Sequence, residues 1–217
     1  RRLIYDSHEL YTEVSTLSRL ERTVWRGFER ALIGRADSVV TVCESIAGEL
    51  SDRYGIEKPL VVLNCPNESA VPRSRPERNV LRERAGLLDS KEPIVLYQGG
   101  FAVHRGLPEL IEAARHLSRG VVVLMGWGQL EGELREKIAA DGLEDRVVII
   151  GPATPEELPV VTAGADVGVI PYQAVGLNNY YTTPNKLFEY IASGIAVAGS
   201  HFPELCRIIE TYEIGVT

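Results

Sequence analysis

Ile94-Val95-Leu96-Tyr97, then Gln98-Gly99-Gly100-Phe101-Ala102-Val103-His104-Arg105-Gly106, then Leu107-Pro108 and the amphipathic run to Ser118, decide the architecture of this chain. A short apolar strand passes through a glycine-rich turn into a helix with proline in its first turn. Gly99 and Gly100 let the backbone come close to a ligand. The free N–H groups and dipole of the new helix favour an anion. Arg105 adds a positive fork suited to phosphate oxygens. Physically this is a diphosphate cradle, although such turns also serve as plain connections. It has neither the G-x-x-x-x-G-K-[ST] nor the G-x-G-x-x-G spacing.

Outward from that unit the same rhythm repeats. Strands are expected at Leu3–Tyr5, Ser38–Val42, Leu60–Leu63, Ile94–Tyr97, Val121–Met125, Val147–Ile150, Val167–Ile170 and Ala196–Ala198. Helices are expected at Thr12–Ile33, Ser45–Tyr54, Pro108–Ser118, Gln129–Asp141, Pro155–Ala163, Pro184–Ser193 and Pro203–Glu210. Alternation of this kind, with strands that are continuous apolar runs, means an α/β fold of parallel, Rossmann-like sheets covered by helices. Residues from about 64 to 93 break the rhythm with prolines, small polar residues and arginines, and read as a hinge. The expected division is a partial N-terminal domain over 1–68, a linker over 69–93 and a more complete domain over 94–217. Both ends read as the interior of a domain, which suggests a trimmed parent.

Composition narrows the function classes. The chain has 217 residues and a formal net charge of -7. That acidity disfavours general nucleic-acid binding, which needs a basic footprint. Cys43, Cys65 and Cys206 form no C-x-x-C pair. An odd, scattered set fits neither a disulfide framework nor a zinc site, and it fits a reducing cytoplasm. No apolar run approaches the ~18 residues of a membrane span.

Two further segments carry candidate chemistry. Gly126-Trp127-Gly128-Gln129 follows the strand ending at Met125, at the expected carboxyl edge of the sheet, where open α/β sheets bind ligands. It is either a ligand-facing turn or a tight turn with Trp127 as packing. Thr183-Pro184-Asn185-Lys186-Leu187-Phe188-Glu189-Tyr190-Ile191-Ala192-Ser193-Gly194 reads as a helix capped by Thr183 and ended by Gly194. Asn185, Lys186 and Glu189 project from neighbouring parts of one face. Lysine can neutralise a phosphate, and glutamate can accept from both ribose hydroxyls. A surface Lys–Glu pair is the plainer alternative. Near the start, Asp6, His8 and Glu9 cluster just after a strand, a polar group that is either a site or a solvated loop.

The first helix shows Leu17, Leu20, Val24, Phe28 and Leu32 on one face and Arg19, Arg22, Arg26 and Arg30 on the other. The expected arrangement is an apolar face on the core and a solvated arginine stripe. The sharper reading makes that stripe a surface for an anionic acceptor or for lipid headgroups, a peripheral membrane contact.

Together these segments resemble glycosyltransferase family 4 and its GT-B relatives. The resemblance runs over nearly the whole chain, from DSHEL through QGGFAVHRGLPELIEAA and MGWGQLEGEL to VGVIPY and TPNKLFEYIASGIAVAGSHFPEL. It implies two facing Rossmann-like domains, a truncated first one and most of the second. A nucleotide-diphosphate sugar would be the donor substrate, with no cofactor and no bound metal, and transfer would retain the anomeric configuration. A glycan or lipid-linked acceptor of the cell envelope is implied as partner. Glu189 matches the ribose-binding glutamate, Arg105 the basic residue on the diphosphate, and Gly99 the glycine of that loop. His8 matches the loop facing the donor sugar, with Asp6 or Glu9 orienting it or meeting the acceptor. Two positions depart from the family. Gly100 stands where arginine is usual, so Lys186 is expected to compensate. Tyr181 stands where the family has a glutamate eight positions before Glu189, with Asn178 and Asn179 as nearby substitutes.

No D-x-D motif occurs, which disfavours a metal-dependent GT-A enzyme. Two alternatives stay open: a nucleotide-sugar-binding fragment without turnover, and a sugar-nucleotide epimerase of GT-B architecture. A dinucleotide oxidoreductase lacks its glycine fingerprint.

Overall fold

The structure is a computed structural model that describes residues 2–66 and 78–217. It divides into two compact units. The first takes Arg1–Asn64, Ala174–Thr183 and His201–Ile208; the second takes Cys65–Gln173, Pro184–Ser200 and Ile209–Thr217.

The first unit is built on a parallel three-stranded sheet, β1 (Ile4–Ser7), β2 (Ser38–Thr41) and β3 (Leu60–Val61), in that order. Helix α1 (Arg19–Leu32) connects β1 to β2, and α2 (Glu44–Tyr54) connects β2 to β3. Leu10, Ile33, Cys43, Ile46 and Leu50 form its core. Burial pushes the Cys43 thiol up to about 12, consistent with a small packed hydrophobe.

The helix expected from Thr12 starts later. Tyr11–Glu13 is a single 3-10 turn, and α1 begins after Ser18. Ser18 and Glu21 form a reciprocal capping box: the Glu21 N–H donates to Ser18 Oγ, and the Ser18 N–H donates to the Glu21 carboxylate. That S-x-x-E pattern marks the true start.

The apolar face of α1 is not packed on the core as expected. Arg22 and Arg26 pair with the buried carboxylate of Glu13, which Arg53 also reaches at 2.7 Å. Arg22 and Arg26 of the stripe are therefore part of an ion cluster around Glu13, while Arg19 and Arg30 are exposed as expected. Burial pushes the Glu13 carboxyl up, but hydrogen bonds from Arg26 and Arg53 outweigh it and hold it below the usual range. Meanwhile Leu20 is 75% and Phe28 57% exposed, and no residue of α1 is buried. With Leu3, Ile4, Tyr5, Trp25 and Leu32, Phe28 lines an apolar groove of about 340 Å³.

The second unit carries a six-stranded, wholly parallel sheet ordered β6-β5-β4-β7-β8-β9. Its strands are β4 (Ile94–Gly100), β5 (Val121–Trp127), β6 (Val147–Ile150), β7 (Val167–Ile170), β8 (Ala196–Gly199) and β9 (Gly215–Val216). The chain winds outward from β4 in one direction, then returns to β7 and winds in the other. That order is the doubly wound Rossmann arrangement, and it puts the topological switch point between β4 and β7. Its helices are α4 (Leu107–Ala113), α5 (Glu131–Ala140), α6 (Leu158–Thr162) and α8 (Asn185–Ala192); α9 (Pro203–Thr211) follows β8 in the chain, and its residues up to Ile208 are counted with the first unit.

Of the expected hinge over 69–93, residues 69–77 lie outside the described residues. Beyond them, α3 (Val80–Arg84) folds into the second unit. Asn79 caps it and also donates to the Gly164 carbonyl at 2.8 Å, while Arg82 donates to the carbonyls of Ser90 and Glu92. The loop expected before α8 contains a short helix of its own, α7 (Leu177–Tyr180).

Candidate functional site: a cation pair at the switch point

β4 and β7 pair only at Val95↔Val167 and Leu96↔Gly168. Past that register they separate, and the Tyr190 side chain of α8 fills the opening. Its hydroxyl lies 3.1 Å from the Leu96 carbonyl and 3.4 Å from that of Val169, and it accepts from the Gln98 N–H at 3.2 Å. Gly168 makes room for it, since a Cβ there would lie 2.4 Å from the tyrosine ring. Tyr190 thus fixes α8 against the carboxyl ends of both strands.

That anchoring brings Lys186 inward. Its side chain is 7% exposed, with Nζ 3.7 Å from the centre of the Tyr97 ring and 5.1 Å from that of Tyr172. Arg105 lies over the same Tyr172 ring at 4.2 Å. Aromatic faces favour cations, but two cations on one ring also repel. Burial, then the Arg105 guanidinium, push the Lys186 ammonium well below the ordinary lysine range, and Glu189 pulls the other way. A Cβ on Gly99 would sit 3.1 Å from Nζ, and Gly99 has φ +125°, so glycine admits both the turn and the ammonium.

The glycine turns are held by close backbone approach. Gly106 starts α4 at φ +68°, and a Cβ there would lie 1.8 Å from the Pro171 carbonyl oxygen. This ties the start of α4 to the end of β7. A Cβ on Gly126 would come within 1.9 Å of the Gly99 carbonyl, and one on Gly128 within 2.3 Å of the Phe101 carbonyl. The Phe101 N–H donates to the Trp127 carbonyl at 2.7 Å. Gly126, opposite Gly99 at the ends of β5 and β4, and Gly128 just past β5 therefore hold the two strand ends close together, and the turns expected at these glycines begin later than the sequence suggests. Trp127 is 63% exposed, so the packing role considered for it is not what the structure shows.

Glu189, half-buried, accepts from Gln98 Nε2 at 2.5 Å. Asn185 is exposed at the start of α8. The cap expected of Thr183 is absent: Pro184 is the N-cap residue and makes no side-chain bond. Gly100 is exposed at the end of β4. His104 adopts φ +64°, and its Nδ1 lies 3.4 Å from Gln173 Oε1. It borders a groove of about 460 Å³ lined also by Ala102, Val103, Pro108, Glu109 and Lys137.

Gly99, Gly100, Arg105, Gly126, Gly128, Asn185, Lys186 and Glu189 all belong to the second unit; Asp6, His8 and Glu9 belong to the first. His8 Nε2 lies 3.2 Å from Asp6 Oδ2, and both side chains are exposed. Asn178 is engaged within the first unit: it accepts from the Leu10 N–H at 2.9 Å and donates to Glu9 at 3.1 Å. These bonds occupy one of the two side chains, Asn178 and Asn179, expected to replace the family glutamate. Tyr181 packs on the core of that unit. His201 is exposed.

Sequence reasoning passed over Gln98, Thr162, Tyr172 and Tyr190. One signal was available: Gln98 is the polar residue in an otherwise apolar strand, and such a residue, once buried, must find partners.

A doubly wound parallel sheet with two cations and a glutamate gathered at its switch point defines a Rossmann-like α/β unit. Residues 92–216, more than half of the chain, match the model of the family Glycosyl transferases group 1, and the chain belongs to that family. It is 25% identical over 221 residues to the putative teichuronic acid biosynthesis glycosyltransferase TuaH of Bacillus subtilis, covering 97% of this chain and 53% of that protein. It is 34% identical over 152 residues to alpha-D-kanosaminyltransferase of Streptomyces kanamyceticus, covering 61% of this chain and 39% of that protein. The chain thus spans about half the length of these relatives, or less. Among solved structures, Anabaena Alr3699/HepE in complex with UDP matches with a TM-score of 0.78 at 19% identity, over 100% of this chain and 58% of that one. Sucrose-phosphate synthase from Thermosynechococcus elongatus matches with a TM-score of 0.76 at 23% identity, over 98% and 53%. These likenesses establish the fold as that of GT-B glycosyltransferases.

Proposed function

We propose that this chain is the donor-binding portion of a retaining, family 4 glycosyltransferase that moves a sugar from a nucleoside diphosphate to a glycan, lipid-linked or cell-envelope acceptor without a metal ion. The observation that carries this reading is the convergence of Lys186 and Arg105 on the Tyr172 ring beside Gly99. Two cations brought together, one of them buried, are costly until an anion joins them. A diphosphate supplies that anion, and Glu189 supplies an acceptor for the ribose hydroxyls.

In the transfer, the bond from the anomeric carbon to the diphosphate oxygen breaks and the bond to the acceptor oxygen forms on the same face. The acceptor proton passes to the departing phosphate. Charge growing on the leaving diphosphate is met by Arg105, Lys186 and the N–H groups that open α4, which is electrostatic stabilisation of the transition state. In the first unit, His8 is the candidate for contact with the donor sugar, and Asp6 and Glu9 are the candidates for orienting it or meeting the acceptor. The teichuronic acid relative supports an envelope acceptor, and the HepE complex makes UDP the first nucleotide to try.

Calorimetric titration with UDP, GDP and ADP, without added metal, tests the donor site. One nucleotide is expected to bind saturably, and Glu189→Ala to weaken it by about 10- to 100-fold, the worth of a hydrogen bond to a charged group. Failure of all three to bind refutes the donor site.

A further inference from the structure

Gln98 sits inside β4 with 3% of its surface exposed. A buried primary amide must satisfy both its ends or destabilise the strand. Here both ends are used. Its Nε2 donates to Glu189 Oε2 at 2.5 Å, and its Oε1 accepts from the Thr162 hydroxyl at 2.8 Å. The orientation of the amide is dictated by its neighbours, because an ionised carboxylate only accepts. Thr162 is itself fully buried at the end of α6. The Gln98 main chain is fixed as well, through its N–H on the Tyr190 hydroxyl. The result is a rigid line of side chains, Thr162 to Gln98 to Glu189, entering the site from beneath the sheet edge.

Such a line has a specific effect on Glu189. A free glutamate turns about its terminal bond and offers both oxygens in many directions. Glu189 is held by Oε2, which leaves Oε1 for a ligand in one orientation. We propose that Gln98, oriented by Thr162, is a positioning residue that presents Glu189 Oε1 to the ribose hydroxyls of the nucleotide, and so sets how strongly this chain distinguishes a ribonucleotide from one lacking those hydroxyls. The inference rests on the donor-site reading above and adds a residue that the resemblance to family 4 did not indicate. Gln98 touches Glu189, not the substrate, so its effect is on geometry.

The test compares two ligands on each variant: the nucleoside diphosphate among UDP, GDP and ADP that binds, and its 2′,3′-dideoxy counterpart. The unaltered chain should bind the dideoxy form about 10- to 100-fold more weakly. In Gln98→Leu that ratio should fall by about fivefold or more, through weaker binding of the ribonucleotide with the dideoxy form unchanged. Thr162→Val, which keeps the shape of the side chain and removes its hydroxyl, should shift the ratio in the same direction by about twofold to threefold. It also carries the test if Gln98→Leu does not fold. A purely structural role would weaken both ligands alike and leave the ratio fixed; that result overturns the proposal while the ribose site stands. Nucleotide binding with no hydroxyl preference in the unaltered chain also overturns it. Absence of nucleotide binding altogether removes the donor site and this inference with it.

Discussion

Helices α1 and α8 both look amphipathic in sequence, and the structure uses them in opposite ways. α1 has the longer and cleaner apolar stripe, yet Leu20, Val24, Trp25, Phe28 and Leu32 are exposed while Arg22 and Arg26 pair with Glu13. α8 is eight residues long, and it buries Leu187, Phe188 and Tyr190 together with the cation Lys186. Periodicity shows that a helix has two faces; it does not say which face has a partner. In α1 a buried carboxylate with arginine partners orients the helix. In α8 a tyrosine filling the opening between two separating strands does so.

The comparison can be broken at several points. The strongest test is Gly106→Ala, where the left-handed φ and the 1.8 Å approach to Pro171 leave no room for a methyl group. A loss of about 4 kcal/mol or more in denaturant unfolding of the second unit is expected. A near-neutral result would mean that α4 is not pinned to β7.

Next, Glu13→Gln leaves Arg22, Arg26 and Arg53 without their shared carboxylate. A cost of about 3 kcal/mol at neutral pH is expected from urea titration. Because the folded Glu13 carboxyl is held below its unfolded value, its contribution is present above the unfolded pKa of about 4.3 and disappears as pH falls through the folded value. The unaltered chain and the variant should therefore converge in stability at acid pH.

A smaller effect is expected at Lys186. Its ammonium is depressed in the free chain, and a bound diphosphate raises it again, so binding should take up a proton. Affinity then falls as pH rises through the depressed free value. Calorimetry in two buffers of different ionisation enthalpy, repeated as pH is raised, should show proton uptake that grows with pH and is absent in Lys186→Met, with affinity in that variant reduced about tenfold. Equal enthalpies in both buffers would put the anion elsewhere.

The smallest effect is expected for Phe28→Gln on the open face of α1. Thermal unfolding should change by no more than about 0.5 kcal/mol. A large loss would show that this face is covered in solution.

Much of this was legible in the strands. Six of the eight expected strands share at least three residues with the observed ones, because doubly buried parallel strands are continuous apolar runs; β1 and β3 share two each, and the short β9 was not expected. α8 was also read correctly as an element, whereas Gln98, Gly99 and Gly100, expected in the turn, extend β4 to Gly100. Lys186 was expected at the Gly99–Arg105 loop and lies there, but other side chains that meet from distant positions escaped. Glu13 and Arg53 are 40 residues apart, and Gln98 and Glu189 are 91 apart. No local pattern announces such pairs. The start of α1 was misread for a different reason: the capping box at Ser18 and Glu21 was present in the sequence, and the apolar periodicity running past it masked the stop.

The Tyr190–Gly168 contact has a consequence for how such sequences drift. A ring carbon lies 2.4 Å from where any side chain at position 168 would begin, so neither position can change freely while the other keeps its present residue. A larger residue at 168 requires a smaller one at 190, and that exchange releases the hydroxyl bridging β4 and β7. The two positions should therefore be inherited as a pair. Between lineages, they should mark where the carboxyl end of the sheet has been rebuilt rather than merely retouched.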